Sequence, residues 1–294
     1  MRNTNGFSVR KILLLVPFIF LLSCATPGRP VTAPSPEAVL PQWLLVDDSA
    51  GGLDYCAGRI SKPRLEFHAL RVDLGNPELS IVTAGGAANS ENVLSTKVSS
   101  FVRENNLLAG INALPFDVVS DREGEPRVNV GIVIADGVMI SPPHPEFDAL
   151  VFYADGRAAI VSQKEIHAAG NIVHAAGGFR RILEGGESVP RVQNASARHP
   201  RSAAGISSDG RYLYLLVIDG RRPGSIGSTE AETALLLRAL GATGGINLDG
   251  GGSSALALRY GGGTVRVLNT PVHGGIPGRE RAVAGCIGVG LRGK

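Results

Sequence analysis

Hydrophobic and polar positions alternate along much of this 294-residue chain. Leu65-Glu-Phe-His-Ala-Leu-Arg-Val72 keeps the period of two that sends successive side chains to opposite faces of a strand, and residues 79–82 form a shorter strand. The period changes over 95–105, where Val98, Phe101 and Val102 recur at three- and four-residue spacing and predict a helix. Short apolar runs at 132–134, 138–140, 150–153 and 158–161 predict strands. They are punctuated by Asp136-Gly137 and Asp155-Gly156, dipeptides suited to tight hairpins. Asp209-Gly210 marks a third hairpin between 203–207 and 212–218. Residues 229–240 form the clearest helix, with Gly241 placed where a left-handed residue ends it. Strands follow at 246–248, 255–258, 265–268 and 282–289. Hairpins with only two convincing helices predict an α+β fold: one domain on a mixed, largely antiparallel sheet with few helices.

The first forty residues follow another pattern. Arg10-Lys11 precede an apolar run, 12–22, whose eleven residues are too few to cross ~30 Å of hydrocarbon, which takes about 20. A basic flank, a short apolar run and a small residue make a secretory signal. Its Leu21-Leu22-Ser23-Cys24 ending resembles a bacterial lipobox, in which Cys24 becomes the lipidated first residue; the alternative is an ordinary signal peptide with Cys24 incidental. Pro27, Pro30, Pro34, Pro36 and Pro41 then make an extended tether. The organisation expected is a leader over 1–23, a tether over 24–42 and a folded domain over 43–294. The expected location is the cell envelope, with the protein held by a lipid at Cys24, on the outer membrane facing periplasm or exterior.

Charge excludes one class of partner. The chain has 29 Lys and Arg against 26 Asp and Glu. Arg2, Arg10 and Lys11 belong to the leader, and 29 less those three leaves 26 bases against 26 acids. A neutral domain is a poor electrostatic binder of nucleic acid. The 39 Gly, about 13% of the chain, imply many tight turns and close backbone approaches. There is no His-Glu-x-x-His, Cys-x-x-Cys, P-loop or Gly-x-Ser-x-Gly. Gly288-Val-Gly-Leu-Arg-Gly293 matches a dinucleotide fingerprint but leaves no room for the helix that would hold a pyrophosphate. Cys56 and Cys286 can pair in an oxidising compartment or stay as two buried thiols. The oligomeric state is left open.

Candidate chemistry concentrates between His199 and Ser254. In Ile246-Asn247-Leu248-Asp249, Asn247 and Asp249 share one face while Ile246 and Leu248 enter the core on the other. The chain then runs into Gly250-Gly251-Gly252-Ser253-Ser254, where missing side chains let backbone N–H groups converge on an anion and two hydroxyls stand ready to donate. A glycine-rich turn with Asp249 bonding its own backbone is the plainer alternative. Asp219 ends an apolar strand just before Arg221, and Arg201 enters from the other side of that hairpin. Thr229 and Glu232 are spaced as a capping box, so Glu232 is either a helix cap or a catalytic carboxylate.

The series Arg198-His-Pro-Arg-Ser-Ala-Ala-Gly205, Leu215-Leu-Val-Ile-Asp-Gly-Arg221, Ser225-Ile-Gly-Ser-Thr-Glu-Ala-Glu232 and Asn247-Leu-Asp-Gly-Gly-Gly-Ser-Ser254 resembles the phosphodiester glycosidase family. Ile111-Asn-Ala113, Phe116, Asn269-Thr-Pro271 and Glu280-Arg-Ala-Val283 extend the resemblance over roughly residues 53–290. It implies hydrolysis of the bond between a sugar's anomeric carbon and a phosphodiester oxygen in an envelope or extracellular glycan. Asp249, Asp219 and Glu232 are then the candidate nucleophile, base or charge-stabilising groups, with Glu232 expected to face the pocket of Asp249. Arg201 and the turn of Gly250, Gly251 and Gly252 are expected on the phosphate. Asn112, Asn247, Ser253, Ser254, Arg221, Asn269 and Glu280 are expected to bind substrate. No cofactor is assigned; a divalent metal among the acids is compatible with them, although no ligand spacing demands one. Two rival readings are a non-catalytic glycan-binding lipoprotein and a phosphodiesterase cutting P–O.

Overall fold

The computed structural model describes residues 42–46, 51–84 and 92–293. Cys24, the 1–23 leader and all of the tether but Gln42 lie outside the described residues. The fold is dominated by antiparallel sheet. An eight-stranded sheet runs, edge to edge, through Leu44–Leu45, Leu53–Ser61, Arg64–Asp73, Tyr212–Ile218, Arg201–Ile206, Gly244–Asn247, Arg180–Glu184 and Glu187–Ser188. Two five-stranded sheets accompany it. One centres on Asp148–Tyr153, Ile172–Gly177 and Val133–Ala135, and the other on Leu256–Arg259, Ala109–Asn112 and Cys286–Leu291.

The alternation read from the sequence decides what each sheet face touches. Leu213, Leu215 and Val217 point into one core with Leu70, Val72, Ile111, Leu150, Leu256 and Ile287, drawn from all three sheets. Tyr214, Leu216 and Ile218, from the same strand, point into a second core with Phe67, Ile182, Ala234, Leu237 and Leu240. Residues 215–218 are apolar without interruption because that strand is buried on both faces. The second core is closed by the helix Glu230–Leu240, which lays Ala234, Leu236, Leu237 and Leu240 on the sheet and stops at left-handed Gly241, φ 113°.

The Asp-Gly hairpins form as expected at 136–137, 155–156 and 209–210. Among the described residues every ladder between strands is antiparallel, and the parallel contact is an isolated bridge between Val272 and Arg279. The sheet is thus not mixed, and the molecule is richer in β than an α+β reading implies. The predicted helix at 95–105 shortens to Val98–Glu104, and the predicted 282–289 strand begins later, at Cys286–Leu291. Leu53–Ser61, Ala109–Asn112, Ile172–Gly177 and Arg180–Glu184 are strands that periodicity did not announce. Cys56 and Cys286 are free, buried thiols in separate cores.

Candidate active site

Register brings chemistry to one end of the eight-stranded sheet. Asn247, at the end of its strand, pairs with Ala203 on one side and Arg180 on the other, while Arg201 pairs with Ile218 next to Asp219. Arg180, Asn247 and Arg201 therefore sit at one sheet end, with Asn247 between the two arginine-bearing strands. The helix Glu230–Leu240 points its first turn at the same place, and Glu230 lies 3.8 Å from Arg180 and 3.6 Å from Arg201. These groups line a cleft of about 340 Å³ together with Phe179, His199, Arg221 and Gly251.

Beyond Asn247 the chain enters the glycine turn, whose backbone is pinned by a buried strut. The Asn112 amide donates to the Asp249 carbonyl at 2.6 Å and accepts from the Ser202 hydroxyl and the Ala255 N–H. The Asp249 N–H donates to the Ala113 carbonyl. Its carboxyl is left for the turn and its neighbours. Burial pushes the Asp249 carboxyl up to about 6, against the opposing pull of Ser253, the Arg281 charge and the Gly250 N–H. A residue so placed is held near its own midpoint in the range where a general base is most useful.

Two arginines press against the turn where it has no side chains. Gly251 has φ 63°, and a methyl there would meet the Arg221 guanidinium at 3.0 Å. A methyl on Gly252 would run into the Arg281 guanidinium. Arg281 also donates to the Ser253 hydroxyl at 3.1 Å and to His273. Arg221 is solvent-exposed at left-handed φ 58°, and among the described residues its guanidinium has no hydrogen-bond or ion-pair partner. Burial and the charges of Arg201 and Arg221 hold His199 below its usual range.

The sequence candidates divide on this geometry. Asp249, Asn247, Gly250, Gly251, Gly252, Ser253, Arg201 and Arg221 are brought together at the cleft and the turn. Asn247 is 2% exposed, and its buried Oδ1 has no partner among the described residues, as does the hydroxyl of Ser254. Arg201, expected on the phosphate, is instead tied to the Ser228 and Ala197 carbonyls and to Glu230.

The remaining candidates hold the fold. Asn112 is the strut just described: fully buried, with its amide bonded to the Asp249 carbonyl, the Ser202 hydroxyl and the Ala255 N–H. Asp219 is buried and saturated: Arg222, Asn269 and the Thr270 N–H all donate to its carboxylate. Asn269 bonds the Leu256 N–H and the Ser254 carbonyl as well. Glu280 accepts from the backbone and hydroxyl of Ser99, satisfying the start of the helix Val98–Glu104 in place of a cap on Lys97. Glu232 does not line the cleft. It closes a capping box with Thr229 and takes both arms of Arg198, at 2.8 and 2.5 Å.

The groups that sequence reasoning missed are Glu230, Arg180 and Arg281. Arg281 stood inside the matched Glu280-Arg-Ala-Val283 segment. Glu230 was hidden because the cap spacing draws attention to the third residue of the helix rather than its first, and Arg180 lies on an unannounced strand. Among the described residues no cluster of three His, Cys, Asp or Glu side chains is placed to hold a metal ion.

Comparison with known proteins places this geometry. A family model described as phosphodiester glycosidase matches residues 105–290. A zebrafish N-acetylglucosamine-1-phosphodiester alpha-N-acetylglucosaminidase catalytic domain, auto-inhibited by its pro-peptide, superposes with a TM-score of 0.63 at 19% identity, over 90% of this chain and 92% of that one. A hypothetical protein from Synechocystis gives a TM-score of 0.64 at 17% identity, over 87% of this chain and 65% of its own. The SPbeta prophage-derived uncharacterized protein YomE of Bacillus subtilis is 30% identical over 143 residues, which are 44% of this chain and 22% of YomE. The matched stretch thus spans about a fifth of that relative.

Proposed function

The chain belongs to the phosphodiester glycosidase family, and from that premise we propose that it hydrolyses the bond between a sugar's anomeric carbon and the oxygen of a phosphodiester. The observation that carries the reading is the glycine turn, with the raised carboxyl of Asp249 at its start and Arg221 and Arg281 lying against Gly251 and Gly252.

Glycoside cleavage passes through an oxocarbenium-like state, and most such enzymes need an acid to protonate the departing oxygen. A phosphomonoester departs readily as an anion, its second pKa being about 6. The demand therefore shifts from an acid to cations and N–H donors that hold the developing phosphate charge. Arg221 and Arg281 supply the cations at the turn, with the Ser253 hydroxyl linking Arg281 to Asp249. Asp249, ionised above its raised pKa, takes the proton of a water that attacks the anomeric carbon as the C–O bond breaks. The water oxygen ends on the sugar and the phosphate leaves with both electrons of the broken bond. Asn247 turns its free amide oxygen to a donor on the sugar. Glu230 holds Arg180 and Arg201 in place.

The same reading keeps the envelope location: Cys24 carries the lipid, the proline-rich tether follows, and the substrate is an envelope or extracellular glycan. Hydrolysis in oxygen-18 water tests the chemistry. Label in the released sugar is the expected result. Label in the phosphate means P–O cleavage, and no turnover of any glycosyl phosphodiester means a glycan-binding module.

A further inference from the structure

The charges around the cleft do not balance against a simple phosphodiester. Arg180, Arg201 and Arg221 line the cleft with Glu230, and Arg281 lies against the adjoining glycine turn that Asp249 begins, which makes four guanidiniums to two carboxylates. Arg198 is neutralised separately by Glu232, and Arg222 by Glu66 and Asp219. One phosphodiester carries one negative charge, which leaves the half-buried site with positive charge in excess even when Asp249 is ionised. Arg201 is largely covered while Arg180 and Arg221 stay open to solvent, and a cleft that gathers more guanidiniums than carboxylates attracts anions.

The excess is also divided in space. Arg221 and Arg281 stand on the glycine turn beside Asp249. Arg180 stands on the far strand, across Asn247 from Arg201, and its loose pairing with Glu230 at 3.8 Å leaves it 38% exposed to the cleft and solvent. Arg201 has its N–H groups on two carbonyls, so Arg180 is the available donor at that end. Asn247, with its unpartnered buried oxygen, lies between the two cationic ends and is where a sugar ring would rest.

We propose that the substrate carries a second anionic group on the sugar itself, a carboxylate or phosphate on the side of the ring away from the phosphodiester, and that Arg180 binds it. This rests on the hydrolase reading and names its substrate class: glycosyl phosphodiesters of acidic sugars, or repeating units whose sugar bears phosphate at both ends. The phosphodiester phosphorus lies at the turn, and the second anion lies at Arg180.

Calorimetry at pH 7.5 with three probes tests it: α-glucose 1-phosphate, α-glucuronic acid 1-phosphate and α-glucose 1,6-bisphosphate. At least one of the two doubly functionalised sugars is expected to bind tenfold or more tightly than α-glucose 1-phosphate. Which of them does so distinguishes carboxylate from phosphate. The advantage is expected to shrink several-fold at 0.5 M salt and to fall to near unity in Arg180→Gln, whose melting midpoint stays within a few degrees. Equal affinities for all three, no binding of any, or an advantage that survives Arg180→Gln overturns the proposal. Turnover separates it from the reading beneath it. Equal kcat/KM for neutral and acidic glycosyl phosphodiesters removes the second-anion site and leaves the hydrolase. Discrimination in binding without hydrolysis of any phosphodiester removes the hydrolase.

Discussion

At the scale of single residues, Asp249 is the group whose chemistry and stability oppose each other. Its folded pKa of about 6 lies above the ordinary value of 3.8, so the folded state holds its proton more tightly than the unfolded chain. Stability from this group is present at low pH and is lost as pH rises from about 4 to about 6. Above that the buried carboxylate costs on the order of 3 kcal/mol. Asp249→Asn removes the charge at nearly constant shape. It is expected to lose at least about 10²-fold in turnover while melting no lower than the parent at pH 7.5. In the parent, kcat/KM is expected to rise through pH 6 and level off, as befits a base that acts when ionised; a rate falling over that range assigns Asp249 as an acid instead. Glu232 makes the contrast. Gln preserves the capping hydrogen bond but not the ion pair to Arg198, so Glu232→Gln is expected to cost about 1–2 kcal/mol in melting and to keep most activity. Glu230→Gln, which frees Arg180 and Arg201, is expected to lose activity, and assaying the two variants together decides between the neighbouring carboxylates.

At the scale of elements, the glycine turn 250–252 and the strand Ala109–Asn112 form one device. Asn112 spans the gap between strand and turn with three hydrogen bonds from a fully buried side chain. Removing it leaves the Ser202 hydroxyl, the Ala255 N–H and the Asp249 carbonyl unpaired inside the protein. Asn112→Ala is therefore expected to destabilise by about 2–4 kcal/mol, read by denaturant unfolding. Gly252→Ala acts the other way. The added methyl collides with the far end of the Arg281 side chain rather than with backbone, so the arginine leaves its bonds to Ser253 and His273 and the fold stays. The expected outcome is a tenfold or greater loss of kcat/KM with a nearly unchanged melting midpoint.

At the scale of the molecule, two cores lie on opposite faces of the eight-stranded sheet; Cys56 is buried in one of them and Cys286 in a third cluster around the helix Val98–Glu104, and neither thiol is crosslinked. Burial pushes the Cys56 thiol up to about 12 and raises Cys286 as well. In a Cys24→Ala background both are expected to resist a thiol reagent until denaturant is added, with no change of melting midpoint under reductant. Labelling of either thiol in the native protein would falsify that packing. The same Cys24→Ala variant tests the anchor: it is expected to release the protein from membranes or to accumulate as unprocessed precursor. Normal processing with unchanged membrane attachment removes the lipid at Cys24.

How much of this was legible in advance depended on the range of the interaction. Alternation in 65–72, the apolar run 212–218 beside its turn, the three Asp-Gly hairpins and the capped helix Glu230–Leu240 were readable because each is set by neighbours in sequence: side-chain period, turn dihedrals, local capping. The apolar face of Ile246 and Leu248 and the glycine turn after Asp249 followed from the same local rules. Arg180–Glu184 and Ala109–Asn112 were not readable, since their short, mixed segments become strands only through partners far along the chain. Nor was the sorting of polar residues. Asn112, Asp219, Asn269 and Glu280 look like site residues in a motif, yet each saturates its hydrogen bonds on backbone or side chains remote in sequence. Glu230, Arg180 and Arg281 look ordinary, yet sheet register and the helix axis bring Glu230 and Arg180 to the cleft, while Arg281 is packed onto the turn. The sequence by itself determined the local elements, the family and the glycine turn with its aspartate. Only the tertiary structure decided which polar groups are spent on holding that turn and which are left unpaired around it, because a buried polar group's role is set by the partners that long-range packing supplies.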